Sequence, residues 1–168
     1  MKRIMFLVAG GAALLTGATS QTVVAQSSGL PTLQVDCAKG WVYYGNLTFP
    51  AVRPLEQFQL PVTGRVTRVD YQPTWWPTEN TRVADPTLPR AVPYGHPRNA
   101  MGEGRIVMDF NESWMRNTAL RFVRIHGNAQ ASDLHERRSR GCLRLFDRDI
   151  LTLMDAIGNS QPPIRFYG

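Results

Sequence analysis

A thiol and an imidazole lie near each other along this chain, each in a setting suited to covalent chemistry. Cys142 sits in Ser139-Arg140-Gly141-Cys142-Leu143-Arg144, and Ile125-His126-Gly127 places His126 sixteen residues upstream of it. The thiolate is the nucleophile and the thiol is not, so a catalytic cysteine needs a base or positive surroundings to release its proton. His126, at the end of an apolar run, is a candidate base. Gly141 allows a tight bend just before the sulfur, and Arg140 and Arg144 flank the sulfur on either side. These are the parts of an acyl-transfer site. Two other uses of the thiol compete with that reading. Cys37 and Cys142, an even count, allow a disulfide in an oxidising compartment; without it Cys37 is a buried or spare thiol. His126, His135 and Cys142 include zinc-ligand types, but their spacing follows no standard metal pattern. No metal and no cofactor is expected.

Short strands must position these groups. Trp41-Val42-Tyr43-Tyr44 is rich in strand formers, and residues 57–60 alternate Gln with Phe58 and Leu60. Residues 65–71 form a strand after a turn at Gly64. Residues 105–110 alternate, with Ile106, Met108 and Phe110 on one face. Residues 120–125 read as a strand that delivers His126, and residues 164–167 as a last one. Many short strands separated by turns argue for a sandwich or barrel. One helix is clear over 147–157: Asp147 as N-cap, then Ile150, Leu151, Met154 and Ile157 at helical spacing, and Gly158 as stop. Residues 111–117 suit a helical turn holding Trp114 against the core. Residues 73–104 carry prolines at 73, 77, 86, 89, 93 and 97, which excludes central strands and marks a functional or mobile loop. His96 fits a turn role there. A second polar loop, 127–141, runs between the two catalytic candidates; His135 falls in its charged, solvated stretch.

The first residues read as an export signal. Lys2 and Arg3 precede an uncharged apolar run over 4–15, and Val23-Val24-Ala25 offers a cleavage site before Gln26. The run is too short to span a bilayer stably, so no membrane span is expected once 1–25 are removed. The alternative is an uncleaved anchor. Residues 26–37 are expected to be a flexible lead-in and 38–168 a single catalytic domain of ordinary size. The chain is basic, with a formal charge of +6, and Lys39 is the only lysine beyond Lys2. Arginine forks suit carboxylates and phosphates. An exported basic domain fits an anionic wall polymer; no nucleic-acid motif is present.

The ordered set of motifs resembles the catalytic domain of the L,D-transpeptidases, over about residues 38–168. The family signature is His-Gly, a spacer, then Ser-His-Gly-Cys, an aliphatic residue, and Arg or Asn. Thr74-Trp75-Trp76-Pro77-Thr78 resembles the family's Pro-x-Trp-x-Pro region. His96-Pro97-Arg98-Asn99-Ala100-Met101-Gly102 resembles its Asn-Pro-Leu-Gly turn. The resemblance implies a mainly β domain, a sandwich or barrel of mixed sheets, with one or two short helices, one following the cysteine. It implies a periplasmic enzyme that crosslinks peptidoglycan stem peptides through a thioester on Cys142, and an adduct on Cys142 with carbapenems. On the same fold, hydrolysis by a carboxypeptidase or endopeptidase is the alternative; a silent wall-binding protein is another.

Roles follow from the resemblance. Cys142 is the nucleophile and His126 the base, its ring held by the Gly127 carbonyl. The backbone amides near Gly141 and Cys142 would hold the oxyanion. Arg144 either orients a substrate carboxylate or forms a salt bridge to Asp147 or Asp149. Ser139 hydrogen-bonds in the site or shapes its turn. Trp76, with Trp75 and Tyr94, packs against stem peptide or glycan, or forms the loop's own small core. Two departures stand out. Arg140 replaces the usual histidine; it can donate and stays charged, so it can favour the thiolate or bind an anionic stem peptide but cannot act as a base. Arg140 points to a subgroup with a different donor or acceptor preference, with 1,3 crosslinks as one option; the spacer between His126 and Ser139 is also shorter than usual, which would open the cleft or alter the acceptor side.

Overall fold

The computed structural model describes residues 29–54, 59–139 and 141–168. In chain order the elements are β1 (Leu33–Asp36), β2 (Trp41–Tyr44), β3 (Leu47–Pro50), β4 (Arg53–Pro54), β5 (Val62–Tyr71), α1 (Glu79–Ala84), β6 (Gly104–Phe110), α2 (Ser113–Arg116), β7 (Arg124–His126), β8 (Arg137–Ser139), β9 (Leu143–Arg144), α3 (Asp147–Ile157) and β10 (Pro163–Tyr167). Eight strands form one curled mixed sheet in the order β3-β2-β1-β10-β5-β6-β7-β9, and β4 pairs with β8 alongside it. The β1–β10 and β7–β9 pairs are parallel; the remaining pairs of the large sheet are antiparallel. The protein is thus mainly β. The anticipated export signal over 1–25 lies outside the described residues, within which no helix is long and apolar enough to cross a membrane.

Alternation explains the centre of the sheet. Ile106, Met108 and Phe110 of β6 are buried on one face, and Ile125 and Leu143 continue that face across β7 and β9. On this face lies α3, with Ile150, Leu153, Met154 and Ile157 buried at i, i+3, i+4 and i+7. Each such side chain contributes roughly 1.5–3 kcal/mol by leaving water. Leu153 takes the place expected for Leu151, which is half-buried. Gly104 lets the helix approach β6, because a Cβ there would lie 2.4 Å from the Met154 sulfur.

Several expectations change. Leu33–Asp36 of the anticipated lead-in forms β1, paired in parallel with β10 and largely buried, so the ordered domain begins before residue 38. Gly64 is no turn. It sits inside β5 opposite Phe110, where a Cβ would meet the Asp109 carbonyl oxygen at 2.0 Å, so its lack of a side chain permits a close strand approach. The strand expected over 57–60 falls partly on residues outside the described set, and Gln59–Leu60 are not in a strand. Residues 119–122 form a 3-10 turn, leaving only Arg124–His126 as strand. In the 111–117 turn Met115 is fully buried, with Trp114 partly buried beside the core.

Candidate active site

The parallel register of β7 and β9 sets the site. Ile125 lies beside Leu143 and His126 beside Arg144, while Arg105 of β6 lies beside His126 on the other flank. Side chains alternate along strands. Since Ile125 and Leu143 face the core, Arg124, His126 and Arg144 face the opposite side, as does Arg105. Cys142, one residue before β9, enters on that same side. It lines one cavity of about 1020 Å³ together with His126, Arg124, Arg105 and Arg144. The Pro-rich segment supplies the opposite wall through Trp75, Trp76 and α1.

His126 is 4% exposed. Its Nδ1 lies 2.9 Å from the Gly127 carbonyl oxygen. A carbonyl can only accept, so Nδ1 carries the proton and Nε2 keeps its lone pair. Burial pushes the imidazole down from 6.5 to about 4, with the Arg144 and Arg105 charges acting in the same direction. The ring is therefore neutral at pH 7. A stability effect follows. Between about pH 6.5 and 4 the unfolded chain binds a proton on this ring and the folded chain does not, so stability falls as pH falls. The contribution is complete above that window and amounts to roughly 3 kcal/mol across it. Urea unfolding at pH 7 and pH 4 should show the loss in the wild type, and His126→Gln should remove that part of it.

Cys142 is a half-buried free thiol, as Cys37 is a buried one. No bridge joins them. The Cys142 thiol donates toward the Phe122 carbonyl at 3.9 Å. Burial raises its pKa, while the Arg124 backbone amide and the Arg124 and Arg144 charges lower it. The turn before it depends on Gly141, whose φ of 138° favours glycine. Ser139 is buried; its hydroxyl accepts from the Gly141 amide at 3.3 Å and donates to the Cys142 carbonyl oxygen. Ser139 thus shapes the turn and engages the Gly141 amide that was expected to serve the oxyanion.

The family profile described as the L,D-transpeptidase catalytic domain (YkuD) matches residues 61–163. The chain belongs to this family. Among solved structures, L,D-transpeptidase 3 from Mycobacterium tuberculosis, crystallised with a faropenem-derived adduct, shares the fold with a TM-score of 0.51 at 12% identity. The match covers 82% of this chain and 60% of that one, so this chain corresponds to part of its length. No curated protein sequence matches the chain.

Within this L,D-transpeptidase domain, Asp147 does a job that its sequence position hides. It is not the N-cap of α3; Phe146 occupies that place with no side-chain cap. Instead Asp147 Oδ1 accepts from the Glu103 and Asn128 amides, both at 2.9 Å. It thereby ties α3 to the turn that follows His126. Gly102 and Gly127 leave it room, since a Cβ on either would lie 2.1 Å from Asp147 Oδ1. Buried Asn99 binds the Pro73 and Val92 carbonyls and the Met101 amide, fixing the Pro-rich wall.

The cavity arginines differ in their commitments. Arg144 pairs with Asp133 at 3.3 Å, not with Asp147 or Asp149, and Asp133 also takes Arg138 at 3.1 Å. The 133–138 stretch is therefore tied into the site wall; its His135 contacts the Lys39 carbonyl at 3.0 Å and the Trp41 ring. Arg105 pairs with Asp70 at 2.7 Å. Trp76 is 65% exposed at the cavity mouth. Tyr94 donates to the Glu103 carboxylate, and His96 accepts from the Arg98 amide in a turn. Arg140 lies outside the described residues.

Proposed function

We propose that this domain is an exported peptidoglycan L,D-transpeptidase acting through a thioester on Cys142. The observation that carries the reading is a neutral, fixed imidazole sharing one cavity with a free, half-buried thiol. In the proposed reaction the Cys142 sulfur attacks a stem-peptide carbonyl and its proton passes to Nε2 of His126. The carbon–nitrogen bond to the terminal D-amino acid breaks, and His126 returns the proton to the departing amine. The amine of a second stem then displaces sulfur; its proton passes through His126 back to the thiol. The Cys142 amide serves the oxyanion in place of the Gly141 amide, which Ser139 occupies. The cavity arginines suit the carboxylates of such stems, and the exposed Trp76 a flat face of peptide or sugar. Periplasmic location rests on the 1–25 segment, which reads as an export signal.

Incubation of the mature protein with purified disaccharide-tetrapeptide, followed by mass analysis, tests this. A crosslinked dimer lacking one D-alanine is expected for a 3,3 linkage; a dimer lacking the donor's residues 2–4 would mark a 1,3 linkage. Release of D-alanine without dimer would assign water as acceptor and a carboxypeptidase. No turnover and no adduct with a carbapenem or penem would leave a silent wall-binding protein.

A further inference from the structure

Three arginines on β6, β7 and β9 face the Cys142 side of the sheet, and two of them are in ion pairs. Arg105 is held by Asp70 and Arg144 by Asp133. Arg124 forms no ion pair among the described residues. Its guanidinium is held by backbone alone: Nη1 donates to the Arg121 carbonyl at 2.8 Å and to the Val123 carbonyl at 2.7 Å. Carbonyl partners orient a guanidinium without cancelling its charge. Arg124 precedes Ile125 and Cys142 precedes Leu143, so the parallel Ile125–Leu143 pair brings the two residues to neighbouring places. Both residues line the cavity, and the positive charge of Arg124 favours the thiolate.

The need for such a group is plain from the site. The neutral imidazole is a weak base, since burial holds its conjugate acid at about 4, and burial also opposes a charged sulfur. Proton transfer between them is uphill unless something stabilises the product anion. Among the described residues, the other charged or titratable groups lining this cavity are Arg105 of β6, His126 of β7, Arg138 of β8, Arg144 of β9 and Glu79 of α1. Of these, Arg105, Arg138 and Arg144 already serve carboxylates, and Glu79 has the wrong sign.

We propose that Arg124 is the cation that stabilises the Cys142 thiolate, its carbonyl-held guanidinium, which joins no ion pair among the described residues, acting on the sulfur from the neighbouring strand. The proton still moves to His126; Arg124 lowers the cost of the anion. The inference rests on Cys142 being the nucleophile, and nothing in it depends on the acyl acceptor.

The test is the pH profile of Cys142 alkylation by iodoacetamide, with the adduct located by peptide mass. Iodoacetamide is neutral and reports the thiolate fraction. Arg124→Gln is expected to slow alkylation at pH 7 about tenfold and to move the midpoint up by about one pH unit, the scale of one partly desolvated charge. Arg124→Lys, which keeps charge and loses the fork, is expected to stay within about threefold of the wild type. An unchanged profile in Arg124→Gln overturns the proposal. Should that variant fail to fold by circular dichroism, Arg124→Lys carries the test, and a tenfold loss there overturns it. Substrate plays no part in the readout. A protein without transpeptidase activity that still shows the Arg124 dependence would refute the proposed function and keep this inference.

Discussion

Cys142→Ala is expected to lower transpeptidation by on the order of 10³-fold or more, to below detection, because no other group can carry the acyl chain. The same variant should lose the covalent adduct with a penem or carbapenem in intact-mass spectra. The second thiol cannot substitute. Cys37 is 6% exposed, and burial followed by the Asp36 charge pushes it up to about 12, so it is a neutral core side chain at pH 7. Its place is at the end of β1, with its amide on the Tyr167 carbonyl, and it does not line the cavity. The fold should survive. Only one sulfur is removed from a half-buried position, a cost of about 1 kcal/mol or less, and the Ser139–Gly141 turn is made by groups that remain. Retained turnover in folded Cys142→Ala would remove the nucleophile from the proposed reaction.

The chain order of motifs made the candidate pair legible. His126-Gly127 and Gly141-Cys142 are local signals, and a ring held by the next residue's carbonyl needs no distant partner. Amphipathic spacing likewise exposed α3 and β6, long enough to show a period. What was not legible depends on partners far along the chain. Arg144 finds Asp133, eleven residues back, because β9 lies against the loop and not because of helical spacing to Asp149. Arg124 acquires its place from a parallel pairing of strands three and two residues long, too short for alternation to be visible. β1 was hidden for the same reason: four residues, stabilised by parallel pairing with the end of the chain. Residues 119–122 look like strand by composition, yet Thr118 caps them into a 3-10 turn by accepting from the Leu120 amide.

These long-range ties divide the labour of the site. β6, β7 and β9, clamped by α3 on their core face, present the reactive groups on a rigid surface. The facing wall is irregular backbone pinned by Asn99 and by the Trp75–Val92 bridge. In the proposed reaction the reacting groups lie on the sheet and the exposed aromatics offered to substrate lie on the wall, where sequence change costs little core packing.

Asp147→Ala is the substitution outside the reacting groups expected to do most damage. Its carboxylate accepts from two amides, Glu103 and Asn128, at 2.9 Å each. Alanine leaves both partly buried donors without an acceptor, a loss of about 2–4 kcal/mol. It also opens a void against Gly102 and Gly127, glycines whose missing side chains the carboxylate fills. The damage reaches the chemistry through one residue. Gly127 carries the carbonyl that holds His126 Nδ1, and its own amide is bonded to the Met101 and Gly104 carbonyls. Loosening Asn128 frees that carbonyl to turn away, and the ring loses the partner that fixes its tautomer. The expected result is a fall in the unfolding midpoint together with at least a tenfold loss of thioester formation with a penem, measured well below that midpoint. Asp147→Asn separates the two effects. Its amide oxygen can still accept while its charge is gone, so it should recover most of the stability and most of the rate. If Asp147→Asn is as damaged as alanine, the carboxylate's charge and not its acceptor geometry holds the turn, and the Coulombic support that Asp147 gives the His126 imidazolium becomes the larger part of its role.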